Sequence, residues 1–257
     1  MTVSATKIDS VTIIRLNRPD KFNSFNREMA LLMQDELDKA ATDDTVRAIY
    51  ITGEGKAFCA GQDLGEAVDP NGPGIQKIVR EHYNPIIKKI RAIEKPVVCA
   101  VNGVAAGAGA NIALACDVVI AGTSASFLQA FSKIGLVPDS GGTFFLPRLI
   151  GFGKASALMM LGDKVSATDA LQMGMIYKVV DDADLQTTAL AIAKQLAIMP
   201  TKAIGLTKQL LNESFTNSLT QQLEQEEKLQ AAAGETSDYK EGVNAFIEKR
   251  KPNFTGQ

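Results

Sequence analysis

An α/β fold is predicted by three features of the chain: short β-branched runs bounded by turn residues, helical stripes between them, and a tail after about Asp181 in which only helical patterns remain. Residues 11–16 read as the first buried strand. A helix starting near Asn26 follows, with Met29, Met33, Leu37 and Ala40 on its packed face. Residues 46–52 form the next strand, and a helix over about 75–93 carries Ile75, Ile78, Val79, Ile86 and Ile90 on one stripe. Strands at 96–101 and 118–121 flank a helix that starts near Ala108 and runs through Asn111 to Ala115. The Ser166-Ala167-Thr168-Asp169 stretch is a capping-box pattern, opening a short helix that Gly174 ends before a strand at 176–180. Helical stretches near 185–198, 201–213, 219–233 and 238–249 complete the chain, placed either across the core or against another subunit. Residues 69–74, Asp-Pro-Asn-Gly-Pro-Gly, are the best candidate for a mobile loop.

With 257 residues the chain is near the upper limit for one hydrophobic core, so one main domain is expected. Its 27 basic and 29 acidic side chains nearly cancel, which leaves no electrostatic footprint for nucleic acid or an anionic membrane. The first ten residues lack the apolar core of a secretory signal, and no apolar run reaches the roughly 20 residues that span a bilayer. A cytoplasmic protein is therefore expected. Cys59, Cys99 and Cys116 are odd in number and far apart, so they read as reduced core residues, and no metal site is expected. His82, the only histidine, falls on the apolar stripe of the second helix and reads as a packed or surface residue.

Two glycine-rich segments carry the chemistry. Asn102-Gly103-Val104-Ala105-Ala106-Gly107-Ala108-Gly109-Ala110-Asn111 can bring bare backbone amides up to a ligand, and Gly135-Leu136-Val137-Pro138-Asp139-Ser140-Gly141-Gly142 holds a lone carboxylate. Amide donors plus one acid or base suit a carbonyl compound that loses an α-proton, because the charge leaving the C–H bond must settle on an oxygen held by preorganised donors. Gly107 and Gly109 begin a dinucleotide fingerprint, but Ile112 stands where its third glycine is required. Ala57-Phe58-Cys59-Ala60-Gly61-Gln62-Asp63-Leu64 is a second small-residue turn after a strand, and two amides from two such turns can clasp one oxygen.

These segments, with Pro96-Val97-Val98-Cys99-Ala100-Val101 before the glycine turn and Gly141-Gly142-Thr143 and Leu146-Pro147-Arg148 after it, resemble the enoyl-CoA hydratase/isomerase (crotonase) superfamily over nearly the whole chain. The resemblance implies a spiral of ββα repeats over residues 1–197 and a helical region over 198–257 that builds trimers or dimers of trimers. It also implies an acyl-CoA thioester substrate, with coenzyme A as part of that substrate and no separate cofactor. Carried over by position, the oxyanion donors are the N–H groups of Gln62 and Ala108. Substrate contacts are implied at Lys21, Phe22, Ala60, Asp63, Leu64, Gly107, Asn111 and Phe131, and at a neighbouring subunit's Phe246 and Lys249.

Two departures narrow the expected reaction. Where hydratases of the superfamily carry glutamates, this chain has Asn111 and Phe131. Adding water needs one group to activate the water and another to protonate the α-carbon, whereas moving a double bond needs a single carboxylate, and Asp139 remains to supply it. Asn17-Arg18-Pro19, the run from Ala130 to Asp139, Lys240-Glu241-Gly242-Val243 and Phe254-Thr255-Gly256 look like the epoxyphenylacetyl-CoA isomerase group of phenylacetate breakdown, whose reaction turns an epoxide into an oxepin-CoA. Phe131 would then wall the site beside an aromatic-derived ring. An alternative is a hydratase-like or 4-chlorobenzoyl-CoA dehalogenase-like enzyme with Asp139 as nucleophile, although the tryptophan that would assist it is Phe131 here. The other alternative is a catalytically silent scaffold.

Overall fold

A computed structural model describes residues 1–257. Its ten strands are β1 (Val3–Ile8), β2 (Val11–Leu16), β3 (Ala48–Gly53), β4 (Ala57–Cys59), β5 (Val97–Val101), β6 (Val104–Ala106), β7 (Val118–Gly122), β8 (Ser126–Leu128), β9 (Lys164–Ser166) and β10 (Lys178–Val180). They form a six-stranded sheet in the order β1-β2-β3-β5-β7-β10 and a four-stranded sheet in the order β4-β6-β8-β9. Only β1 with β2 and β8 with β9 pair antiparallel. The path repeats itself: β3 runs into β4, β5 into β6 and β7 into β8, each pair crossing from the large sheet to the small one within a few residues. Successive repeats stack in parallel, so the turn that follows one short strand lies beside the turn that follows the next.

Twelve α-helical segments accompany the strands: α1 (Arg27–Thr42), α2 (Leu64–Ala67), α3 (Gly74–Lys77), α4 (Asn84–Ala92), α5 (Ala108–Leu114), α6 (Gly142–Ile150), α7 (Phe152–Leu161), α8 (Ala167–Gln172), α9 (Leu185–Ala197), α10 (Thr201–Glu213), α11 (Leu219–Gly234) and α12 (Ser237–Ile247). Asn26 caps α1 by accepting from the Met29 N–H, and Met29, Met33, Leu37 and Ala40 are buried as the spacing predicts. Ser166 caps α8 in the same way, through the Asp169 N–H.

The large sheet is buried on both faces. Ile14, Ile49, Ile51, Cys99 and Val101 point into a core of 42 buried residues, while their neighbours Ile13, Ala48, Tyr50, Val98 and Ala100 face α9 in a second cluster of 11. Two-sided burial explains why these strands are unbroken apolar runs. The α9 helix presents Leu185, Ala189, Ala193 and Ala197 at a four-residue spacing, a small-residue stripe that lets it lie close to the sheet. Further along, Lys208 of α10 reaches under α4 to donate to the Ile90 carbonyl and to pair with Asp117 at 2.7 Å, where Arg91 also pairs at 2.8 Å.

Several elements differ from the sequence expectation. The helix predicted over 75–93 is broken into α3, a π-helical turn at Ile78–Tyr83 and α4. Pro85 has no N–H to return to Glu81, and the freed Glu81 carbonyl is taken by the Gln34 side chain at 2.8 Å. Ile75, expected on the packed stripe, is consequently exposed. β1 is mostly exposed and has no apolar run, the strands of the small sheet are only three residues long, and α6 and α7 are hidden by Gly142, Pro147, Gly151 and Gly153. No single helix is long and apolar enough to cross a membrane.

Candidate active site

The small sheet brings its turns together. Gly61, after β4, sits at φ +91°, and a Cβ there would stand 3.0 Å from the Ala106 carbonyl oxygen and 3.6 Å from the Ala108 nitrogen. The turn after β4 therefore touches the turn after β6, at a point where glycine supplies both the backbone angle and the room. Gly107, at φ +53°, turns the chain from β6 into α5. Two residues on, Gly109 lets α5 rest on β4, since a Cβ would fall 2.4 Å from the Cys59 carbonyl oxygen.

Two main-chain donors at these turns are left without a backbone acceptor. The Gln62 N–H has no acceptor among the chain's hydrogen bonds, and Ala108, first residue of α5, has none one turn back within its helix. The backbone on either side of Gln62 is held, because the Phe25 N–H donates to the Gly61 carbonyl at 2.7 Å and the Asp63 N–H to the Phe25 carbonyl at 2.8 Å. The Tyr83 hydroxyl donates to Gln62 Oε1 at 2.9 Å, and Gln62 Nε2 donates to Glu66 Oε2 at 2.8 Å.

Asp139 is joined to α5 through its own backbone. Asn111 Nδ2 donates to the Asp139 carbonyl at 2.8 Å, and Gln129 Nε2 donates to Asn111 Oδ1 at 2.7 Å. Glycine at 142 leaves space for this, since a Cβ would lie 2.4 Å from Asn111 Nδ2. Ser140, buried and at φ +52°, donates its hydroxyl to Asp139 Oδ1 at 2.8 Å. A left-handed non-glycine residue costs of order 1 kcal/mol or more, and such residues cluster at functional sites. Burial raises the Asp139 carboxyl above the ordinary aspartate value, with the Ser140 hydroxyl pulling the other way. The arrangement is thus one half-buried carboxylate of raised basicity, linked through a single helix to one amide donor and across Gly61 to another.

The remaining predicted contacts divide into two groups. The Phe22 carbonyl accepts the Ala60 N–H at 2.9 Å, which puts Lys21, Phe22 and Ala60 side by side, with Lys21 and Phe22 exposed. Leu64 opens α2 and is exposed, while Asp63 caps that helix through the Gly65 N–H. Burial opposes ionisation of Asp63, but Arg18 at 2.8 Å and the Gly65 N–H hold its carboxyl below the usual range. Phe131 is buried, its ring edge 3.6 Å from where a Gly107 Cβ would be. Asn111 is 1% exposed with its amide committed to Asp139 and Gln129, so in this structure it braces the carboxylate loop. Phe246 and Lys249 lie at the end of α12 and beyond it, 85% exposed in the first case, and no hydrogen bond joins either to the two turns.

Sequence reasoning did not assign Ser140, Gln129 or Tyr83. Ser140 adjoins Asp139, but its hydroxyl matters only because the left-handed backbone folds it back. Tyr83 is placed by the π-helical turn, which no spacing rule anticipates. His82, beside it, is fully buried and lies 4.0 Å from Glu66; burial lowers its tendency to protonate, while Glu66 favours it.

The family model described as enoyl-CoA hydratase/isomerase matches residues 6–257. The 1,2-epoxyphenylacetyl-CoA isomerase of Escherichia coli strain K12 is 49% identical over 250 residues, covering 96% of this chain and 95% of the relative. A probable enoyl-CoA hydratase of Rhodobacter capsulatus is 43% identical, covering 97% and 96%. Among solved structures, an enoyl-CoA hydratase from Bacillus anthracis superposes with a TM-score of 0.93 at 33% identity and full coverage of both chains.

Proposed function

Because this chain belongs to the enoyl-CoA hydratase/isomerase family, we propose that it is an acyl-CoA isomerase in which Asp139 is the acid/base and the Gln62 and Ala108 N–H groups hold the thioester oxygen. The observation that carries this reading is the single carboxylate. Asp139 is bound to α5 through Asn111, and the Asn111 amide is neutral and already occupied, so it offers no second acid for hydration. With a 3-enoyl-CoA, the Asp139 carboxylate takes a proton from C2, the C–H electron pair flows to the thioester oxygen, and the protonated carboxyl returns the proton at C4 to leave a 2-enoyl-CoA. A carboxylate whose affinity for protons is raised by burial performs both halves better than an exposed one.

The relative of 49% identity supports the finer reading that the acyl group is 1,2-epoxyphenylacetyl and the product an oxepin-CoA. Phe131, packed beside Gly107, supplies an apolar wall for such a ring. The reaction calls for no further cofactor, since coenzyme A enters with the substrate.

The helical region over 198–257 serves assembly in this reading. Leu219, Phe246 and Ile247 there, with Phe152 and Met160 of α7, are each more than two-thirds exposed, an amount of apolar surface that points to burial in a homotrimer or a dimer of trimers. A neighbour's Phe246 and Lys249 would then flank the nucleotide part of coenzyme A. A cytoplasmic enzyme fits this chemistry. The test is turnover by the purified protein of 1,2-epoxyphenylacetyl-CoA and a 3-enoyl-CoA, followed by mass and absorbance. Oxepin-CoA or 2-enoyl-CoA is expected; hydration of 2-enoyl-CoA or chloride release from 4-chlorobenzoyl-CoA without isomerisation would overturn the reading.

A further inference from the structure

The π-helical turn at Ile78–Tyr83 does more than accommodate Pro85. It rotates the helix so that two consecutive residues, His82 and Tyr83, are both buried. Tyr83 is 1% exposed, with its ring tilted against Phe25 at a centroid distance of 5.9 Å. A buried phenol needs a partner for its hydroxyl. The partner is Gln62 Oε1, the side chain of a residue whose main-chain N–H has no acceptor within the chain.

From there the hydrogen bonds continue away from the site. Gln62 Nε2 donates to Glu66 Oε2, and Glu66 Oε1 accepts the Arg27 N–H at 2.9 Å, at the start of α1. The flanking backbone of Gln62 is fixed to Phe25 through the Gly61 carbonyl and the Asp63 N–H, and the Gly61 N–H donates to Cys59 Sγ at 3.4 Å. A Gln62 side chain tied at both its oxygen and its nitrogen adds a further point of attachment, so the orientation of the residue's own N–H is set from the side chain as well as from the backbone.

We propose that Tyr83 is a positioning residue for the oxyanion hole: its hydroxyl, through the Gln62 side chain, aims the Gln62 N–H at the thioester oxygen. The inference rests on the placement of that N–H in the proposed function. It assigns a catalytic purpose to the π-helical turn, the only segment of its kind in the chain. Donors of this type work only when held within a few tenths of an ångström of the developing charge, which is why a side chain that never touches substrate can affect the rate.

Three variants test it: Tyr83→Phe, which keeps the packed ring, Gln62→Leu, and the two together. With a 3-enoyl-CoA, Tyr83→Phe is expected to lower kcat about tenfold with KM within about twofold, the size of one lost buried hydrogen bond. In the Gln62→Leu background, Tyr83→Phe should cost less than about twofold more, because the path through Gln62 is already cut. A second readout needs no turnover. The infrared band of the thioester carbonyl of bound ¹³C-labelled butyryl-CoA should be displaced from its solution position in the wild type and move part of the way back in Tyr83→Phe. Wild-type kcat and band position in Tyr83→Phe, or losses that multiply in the double variant, overturn the assignment. A wild type that displaces the band but does not isomerise sinks the proposed reaction, and the band in Tyr83→Phe then decides the role of Tyr83. No displacement in the wild type overturns both.

Discussion

The large and small sheets are built from the same parallel ladders but hold different things. In the large sheet, β1, β2, β3, β5 and β7 are five or six residues long, and the four central strands from β2 to β7 are almost wholly buried. Every strand of the small sheet has three residues, and the turns at their ends carry Gly61, Gln62, Gly107 and Ala108. The first sheet buries apolar area; the second sets the position of backbone amides. The lesson is a division of labour: stability resides in one layer and chemistry in the turns of the other, so substitutions in the two should separate in their effects.

Asp139→Asn should give the largest effect on the chemical side. Folding should be kept and turnover lowered about 10²-fold to 10⁴-fold, the usual contribution of a positioned acid/base. Single-turnover kinetics with a 3-enoyl-CoA measures this, and wild-type turnover would remove Asp139 from the mechanism. Ile49→Ala should do the reverse. Ile49 is fully buried in the large sheet, and its truncation is expected to cost about 2–5 kcal/mol in denaturant unfolding while kcat per folded molecule stays unchanged. A matching fall in kcat would break the division between the sheets.

Gly109→Ala is expected to blur it. The new Cβ meets the Cys59 carbonyl and side chain, so α5 must lift from β4 and carry the Ala108 N–H with it. Stability should fall by about 1–3 kcal/mol, and kcat by about 10²-fold, as when one oxyanion donor is lost. Tyr83→Phe, with its smaller loss, asks how far the positioning shell extends.

The smallest effect is one of pH. Burial raises the folded-state pKa of Asp139 above the unfolded value of about 3.9. Its contribution to stability is therefore present below that value and is lost as pH rises through the folded-state pKa. Asp139→Asn should melt slightly above the wild type at pH 7, and the gap should close below about pH 4. Calorimetry at the two pH values reads the difference. The acid limb of kcat/KM should likewise lie above the ordinary aspartate range.

Legibility follows the same line. The runs at 11–16 and 96–101 announce themselves because a strand buried on both faces must be apolar at nearly every position. The glycines of the two turns are equally readable, and so is the lone Asp139 between Pro138 and Gly141. The three-residue strands are not, since they are too short to show a period. Nor is the π-helical turn, which depends on a proline and on Gln34, distant in the chain, to donate to the freed carbonyl.

The chain by itself determined the long buried strands, the helical tail and the types of group available for catalysis, because burial pattern and glycine placement are local properties of the residues. Only the tertiary structure decided how those groups face one another. Asn111 reaches Asp139 across 28 residues and Tyr83 reaches Gln62 across 21. Such contacts exist only once stacked repeats bring the turns within hydrogen-bonding distance, and no local pattern encodes that distance.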